Sequence, residues 1–101
     1  MVPEIGIQVD IRPVADGNLE DILGDSSDSD RLWCEFVDGL KRLSLRKISG
    51  RPRPDIRQEP LVWSVLIAGS IFYFRRLAER VVVIGVGDPK EDANTRVLAE
   101  Q

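Results

Sequence analysis

Arg51, Arg53 and Arg57, interrupted by Pro52 and Pro54, are the residues whose type and spacing point most directly to chemistry. A guanidinium is a flat fork that matches phosphate, and prolines keep a chain out of helical geometry, so such a run presents cations on an irregular loop. With Lys47 these arginines end a longer cluster, Lys41 to Arg57, that holds seven bases and the single acid Asp55. Phosphate contacts dominate affinity for nucleic acid, and a cluster of this kind is its electrostatic footprint. An intramolecular reading stands beside it. Lys41, Arg42, Arg46 and Lys47 fall where a preceding helix should end, and cations there complement the helix dipole.

A second group follows downstream. Cleaving RNA requires cations on the phosphate, a group to accept the 2′-hydroxyl proton and another to protonate the leaving oxygen. Arg75, Arg76 and Lys90 can supply charge, and Tyr73 or Glu79 the acid–base work. The plainer alternative makes Arg75 and Arg76 solvated residues at a strand end and Tyr73 a core residue. The chain has no histidine, one cysteine (Cys34) and no acidic cluster at metal-ligand spacing, so the reading assigns no metal, no cofactor and no catalytic thiol. Gly85-Val86-Gly87 leads into Asp88-Pro89 rather than a helix start, and is not a dinucleotide fingerprint.

The net charge of −3 conceals a division of the chain. Residues 1–39 carry ten acids and two bases, residues 40–80 ten bases and three acids, and the remainder four acids and two bases. A basic middle between acidic flanks predicts an anion-binding face opposite an acidic one. At 101 residues and 43% hydrophobic content, the chain reads as a single domain, 1–101, with one core. Its longest apolar run, Leu61 to Phe74, is interrupted by Ser64, Gly69 and Ser70 and falls short of the ~20 residues a membrane-spanning helix needs. With no leader and a lone cysteine, the expectation is a cytoplasmic protein with no membrane partner.

The elements that would position these residues can be read from periodicity. Ile5, Ile7, Val9 and Ile11 alternate with polar or small residues, predicting a strand ended by Pro13. Asp16-Gly17-Asn18 offers a turn and cap before a short helix carrying Leu19, Ile22 and Leu23 and closed by Gly24. After the Ser/Asp run 25–30, Leu32, Trp33, Phe36, Val37, Leu40, Leu43 and Ile48 recur at helical spacing, predicting a helix over 29–48, capped by Ser27 or Ser29 and closed by Gly50. Trp33 and Trp63 are on the apolar phase of their elements and read as core anchors. An irregular basic loop follows. The apolar stretches 61–68, 71–77 and 81–86 have short connections and predict an antiparallel meander, with Val81-Val82-Val83-Ile84 covered on both faces. A short helix or tail is expected over 91–101. The fold class is α+β: a strand, two helices, then a three-stranded meander.

That order resembles the RelE/HigB/ParE-like superfamily of bacterial toxins, whose members are mRNA endonucleases or gyrase poisons. Val62-Trp63-Ser64-Val65-Leu66-Ile67 is similar to the family's first meander strand, Ile71-Phe72-Tyr73-Phe74 to the next, and Val81 to Lys90 to the last strand with its trailing basic residue. The resemblance covers residues 30–92. It implies a toxin of a toxin–antitoxin pair acting on RNA or the ribosome, with a cognate antitoxin protein as partner, Arg75, Arg76, Tyr73 and Lys90 at the catalytic positions, and Arg51, Arg53, Arg57 and Lys47 on RNA. Two positions depart from the family pattern: Leu66 and Ser70 stand where arginines are usual. The alternative is therefore a non-catalytic protein-binding module on a degenerate RelE-like fold.

Overall fold

The computed structural model describes residues 6–91. Strand β1 (Gln8–Ile11) leads into helices α1 (Pro13–Gly24) and α2 (Ser29–Ser44). The short strand β2 (Arg51–Pro52) follows, and then the meander β3 (Val62–Ile67), β4 (Ser70–Arg76) and β5 (Arg80–Gly87). The strands form one five-stranded sheet in the order β1-β5-β4-β3-β2, in which β1 runs parallel to β5 and every other pair is antiparallel. The α+β class and the antiparallel meander agree with the expectation from sequence, while the sheet gains a fifth strand and a parallel pair. Among the described residues no helix is long and apolar enough to cross a membrane. Residues 92–101, the main part of the expected tail, lie outside the described residues, as does Ile5.

Pro13 does not merely end β1. It occupies the first turn of α1, where its missing N–H is one that no helix would use and its fixed φ is already helical, so α1 starts before Asp16-Gly17-Asn18 and absorbs that supposed turn. Helix α2 starts under Asp28, whose carboxylate accepts from the Arg31 N–H at 3.4 Å, rather than under a serine. It ends at Ser44, not at 48, because Arg46 takes a left-handed φ of 59° and turns the chain. Ile48 and Gly50 therefore belong to the connection. Gly50 has its own reason to be glycine: its φ is 71°, and a Cβ there would stand 2.7 Å from the Ser64 carbonyl oxygen.

The two helices cover one face of the sheet. Phe36, Leu40 and Leu43 of α2 and Ala15 and Leu19 of α1 pack on Ile67, Phe72, Phe74, Val81, Val83 and Val86, with Phe36 edge-on to Phe72 at 5.3 Å between ring centres. Contact is closest at Gly39, where an added Cβ would meet Ile67 Cγ2 at 2.3 Å. Trp33 does not join this core. It is 45% exposed, as is the neighbouring Val37 at 44%, because the apolar stripe of α2 is wider than the sheet beneath it.

Strand β5 has neighbours on both sides and is covered on both faces, as its unbroken apolar run suggests: Val81 and Val83 face the helices, while Val82 and Ile84 belong to a second cluster with Ile56, Val62, Ile71 and Tyr73. Between Tyr73 and Phe74 the β4–β5 register slips, leaving Ile84 without an opposite residue. Beyond this bulge the Val86 N–H finds its acceptor in the Asn18 side chain of α1 at 3.1 Å. The β3–β4 connection is a two-residue turn, Ala68-Gly69, with φ of 50° and 83°, the geometry that matches the twist of a hairpin.

Candidate functional site

The face of the sheet turned away from the helices carries the candidate chemistry. Strict alternation along β3 and β4 sends Trp63, Val65, Phe72 and Phe74 to the helices, and so sends Val62, Ser64, Leu66, Ile71, Tyr73 and Arg75 to the other side. The connection from β2 to β3 lies on this open face. Ile56, 1% exposed, is its anchor against Val62, Tyr73 and Ile84, and the Arg53 N–H donates to the Val62 carbonyl at 2.8 Å. The loop predicted as irregular and basic is thus pinned at both ends, first by the two residues of β2 pairing with Ser64 and Trp63, then by Ile56.

Arg53 is the centre of the cluster. Its Nε and Nη2 donate to the two carboxylate oxygens of Asp55 at 2.9 and 2.7 Å, its Nη1 donates to the Ser64 hydroxyl at 3.3 Å, and its guanidinium stands 5.7 Å from the centre of the Tyr73 ring. The bidentate pair is a strong geometry, and the fork is largely withdrawn from solvent while Asp55 is open to it, at 13% and 60% side-chain exposure. Hydrogen bonding from Arg53 holds the Asp55 carboxyl below its usual range, and the same bond raises Arg53 above its ordinary value. The Tyr73 phenol is pushed above its ordinary value by burial, against the opposing pull of Arg53. A phenol so placed keeps its proton at neutral pH. It can donate a hydrogen bond, but it is no general base there.

Arg75 also faces this side, and its Nη2 donates to the Gln58 Oε1 at 2.9 Å, tying the loop to β4. Arg75 Nε and Gln58 Nε2 are both buried and have no acceptor among the described residues. Arg51 and Arg57 are exposed and make no ion pair among the described residues. Arg51, Arg53, Arg57, Tyr73 and Arg75 are therefore gathered on the strands and loop of one face.

Arg76, Lys47, Lys90 and Glu79, also singled out from sequence, lie elsewhere. Arg76 is on the helix side, its guanidinium 4.6 Å from the centre of the Trp63 ring, next to Arg46 and the end of α2. Lys47 stands in the turn that follows α2. Lys90 is exposed in the turn after β5, where its backbone N–H donates to Asp88 Oδ1 at 2.8 Å. Glu79 precedes β5 and is exposed. Cys34 is exposed on α2.

Sequence reasoning passed over Asp55, Gln58 and Ser64. Asp55 entered only as a charge in a count, although an acid two residues from an arginine across a proline is a local pairing signal. Ser64 is on the same strand phase as Val62 and Leu66, which places it on the open face from periodicity alone. Nothing in the chain marks Gln58.

No protein-family model and no curated protein matches the chain.

Proposed function

We propose that the chain is a RelE-like toxin component of a bacterial toxin–antitoxin pair, acting on RNA or the translation machinery through the open face of its sheet. The observation that carries this reading is the placement of Arg53, Tyr73 and Arg75 on the side of the sheet the helices leave free, with exposed Arg51 and Arg57 on the short strand and loop that cross it. The order of strand, two helices and antiparallel meander, with the N-terminal strand returning beside the last one, supports the RelE-like arrangement. In this reading the cations bind phosphates, and buried Tyr73 supports Arg53 from beneath.

The test is induced expression in bacteria of the wild-type chain and of a chain with Arg51, Arg53 and Arg57 changed to alanine. Growth arrest with loss of intact mRNA is expected for the first and relief of both for the second. Normal growth and intact mRNA with soluble wild-type protein refute the proposal.

A second reading, a non-catalytic protein-binding module of degenerate RelE-like fold, is favoured by two specific features. Arg53, the most central cation, is already neutralised by Asp55, and the strand positions at which the resembled family carries arginine hold Leu66 and Ser70. Under this reading the chain has no RNA affinity that steepens as salt is lowered, and its partner is a protein, an antitoxin among the candidates.

A further inference from the structure

Arg53 and Arg75 use the same edge of the guanidinium, Nε with Nη2, and the loop that crosses the open face answers them differently. Arg53 meets a carboxylate, and both oxygens of Asp55 are taken, at 2.9 and 2.7 Å. Arg75 meets an amide. Gln58 Oε1 accepts from Nη2 at 2.9 Å, while Arg75 Nε and Gln58 Nε2 are left buried and unpaired. An amide offers one oxygen and brings N–H donors of its own, so the contact has more donors than acceptors. The strands give no relief, because the residues opposite Arg75 on either side are Val62 and Val82. Among the described residues no carboxylate pairs with Arg75, so its half-buried charge is uncompensated.

We infer that the Nε–Nη2 edge of Arg75 is a phosphate-binding site, and that the Gln58 amide is its displaceable placeholder. A phosphate sets two oxygens against the fork, as Asp55 does for Arg53, and brings the countercharge that Arg75 lacks. Water is the poorer occupant, since it adds two hydrogens to a place already short of acceptors. The amide can be reached from solvent: Gln58 lines a surface concavity with Arg57 and Glu59, whose exposed opposite charges offset each other. Swinging the amide aside returns Gln58 Nε2 to water and gives Arg75 Nε to the phosphate, so both unpaired donors are satisfied. Only the hydrogen bond from Nη2 to Oε1 is given up. That the phosphate belongs to RNA rests on the function proposed above; that the edge accepts a phosphate group does not.

Thermal unfolding in inorganic phosphate, compared with chloride and acetate of equal ionic strength, tests the site without RNA. Phosphate at about ten times its dissociation constant is expected to raise the wild-type Tm by about 6–11 °C, and acetate to do less. Gln58→Glu sets a carboxylate where the amide stands, so it should melt above the wild type in chloride and lose the phosphate response. The same variant controls for the general salting effect of phosphate, which acts on both chains alike. Gln58→Ala removes the placeholder and should bind phosphate about 2–10-fold more tightly, since no hydrogen bond has to be broken first. A wild-type chain that gains nothing from phosphate over chloride overturns the inference. So does acetate that matches phosphate, a Gln58→Glu chain that keeps the wild-type shift, or a Gln58→Ala chain that binds phosphate more weakly. The RNA reading fails separately: a phosphate shift without RNA affinity keeps the site and removes RNA, whereas RNA affinity without a phosphate shift removes the site alone.

Discussion

Asp55→Asn separates the charge of the open face from its architecture. In the wild-type chain the carboxylate takes two donors from Arg53, so Arg53 contributes little net charge to an approaching phosphate, and three cations remain: Arg51, Arg57 and Arg75. Each phosphate neutralised on a single strand adds about 0.7 to the slope of log affinity against log salt, which puts the wild-type slope near −2. Replacing the carboxylate by an amide removes one negative charge and frees the Arg53 fork, steepening the slope to about −3. Between about 50 and about 200 mM salt the wild-type chain then loses roughly 20-fold in affinity and the variant roughly 50-fold, with the variant the tighter binder at the low end. Fluorescence anisotropy with a labelled single-stranded RNA at several salt concentrations reads both quantities. The fold should survive, because Asp55 itself is mostly exposed and the asparagine oxygen still offers the Arg53 fork one acceptor. Arg53 also keeps Ser64 and the Tyr73 ring as neighbours. An unchanged slope, or a variant that binds more weakly than the wild type at low salt, refutes the idea that Asp55 masks a phosphate-binding arginine. A wild-type chain with no salt-dependent affinity at all removes RNA from the reading of this face.

Tyr73 is the chain's one tyrosine, so absorbance near the phenolate band titrates it alone; its midpoint should lie above the ordinary tyrosine value in the folded protein, return to that value in denaturant, and rise further in Arg53→Ala. Because the folded value is the higher one, this group's share of stability is complete below the unfolded midpoint and is lost as pH rises through the folded one, which urea titrations on the alkaline side would show. Asp55 acts with the opposite sign: its share is present above the unfolded carboxylate value and lost as pH falls through the lowered folded value, and Asp55→Asn should abolish that acid-side slope, an effect of at most about 1 kcal/mol at so exposed a carboxylate. Gly39→Ala should destabilise by about 1–3 kcal/mol from overpacking on Ile67, less the roughly 0.5–1 kcal/mol that alanine returns in a helix, and adding Ile67→Ala should recover part of the loss; additive urea midpoints in that double-mutant cycle count against the contact. Asn18→Ala leaves the Val86 N–H of the bulged strand without its acceptor and should cost about 1–3 kcal/mol, whereas Asn18→Asp, which keeps an acceptor, should recover most of that stability.

Local signals carried the meander and the two helices, since apolar periodicity and short connections are decided within a few residues. What escaped was decided at long range or by residues with two meanings. Pro13 is both a strand stop and a helix opener, and only the packing of Ala15 and Leu19 selects the second role. The end of α2 depended on Arg46 entering a left-handed conformation that a non-glycine residue seldom adopts, so the periodic pattern ran on to Ile48 without structure to match. Pro52 argued against a strand, and β2 is accordingly a two-residue edge. Trp33 obeyed the helical period yet found no sheet below it. For the open face, period-2 counting along β3 and β4 would have placed Ser64, Tyr73 and Arg75 on one side, a signal the reading of Tyr73 and Arg75 as separate candidates did not use. The Arg53–Asp55 fork and the Gln58 tie to Arg75 needed the path of the loop, which Ile56 sets by inserting between strands far apart in sequence.

The parallel pairing of β1 with β5 has a bearing on how this chain is made. Gln8 emerges from the ribosome early, while its ladder partner Arg80 is among the last strand residues to be translated. Until then the nascent chain has helices without the sheet floor they cover, and Val82 and Ile84 are missing from beneath Ile56, so the loop that carries Arg53 has nothing to settle on. Non-local pairing of this kind slows folding and leaves apolar strands uncovered in the meantime. Assembly is consequently a late, concerted event, and a chain truncated before β5 should present neither the charged face nor a stable core.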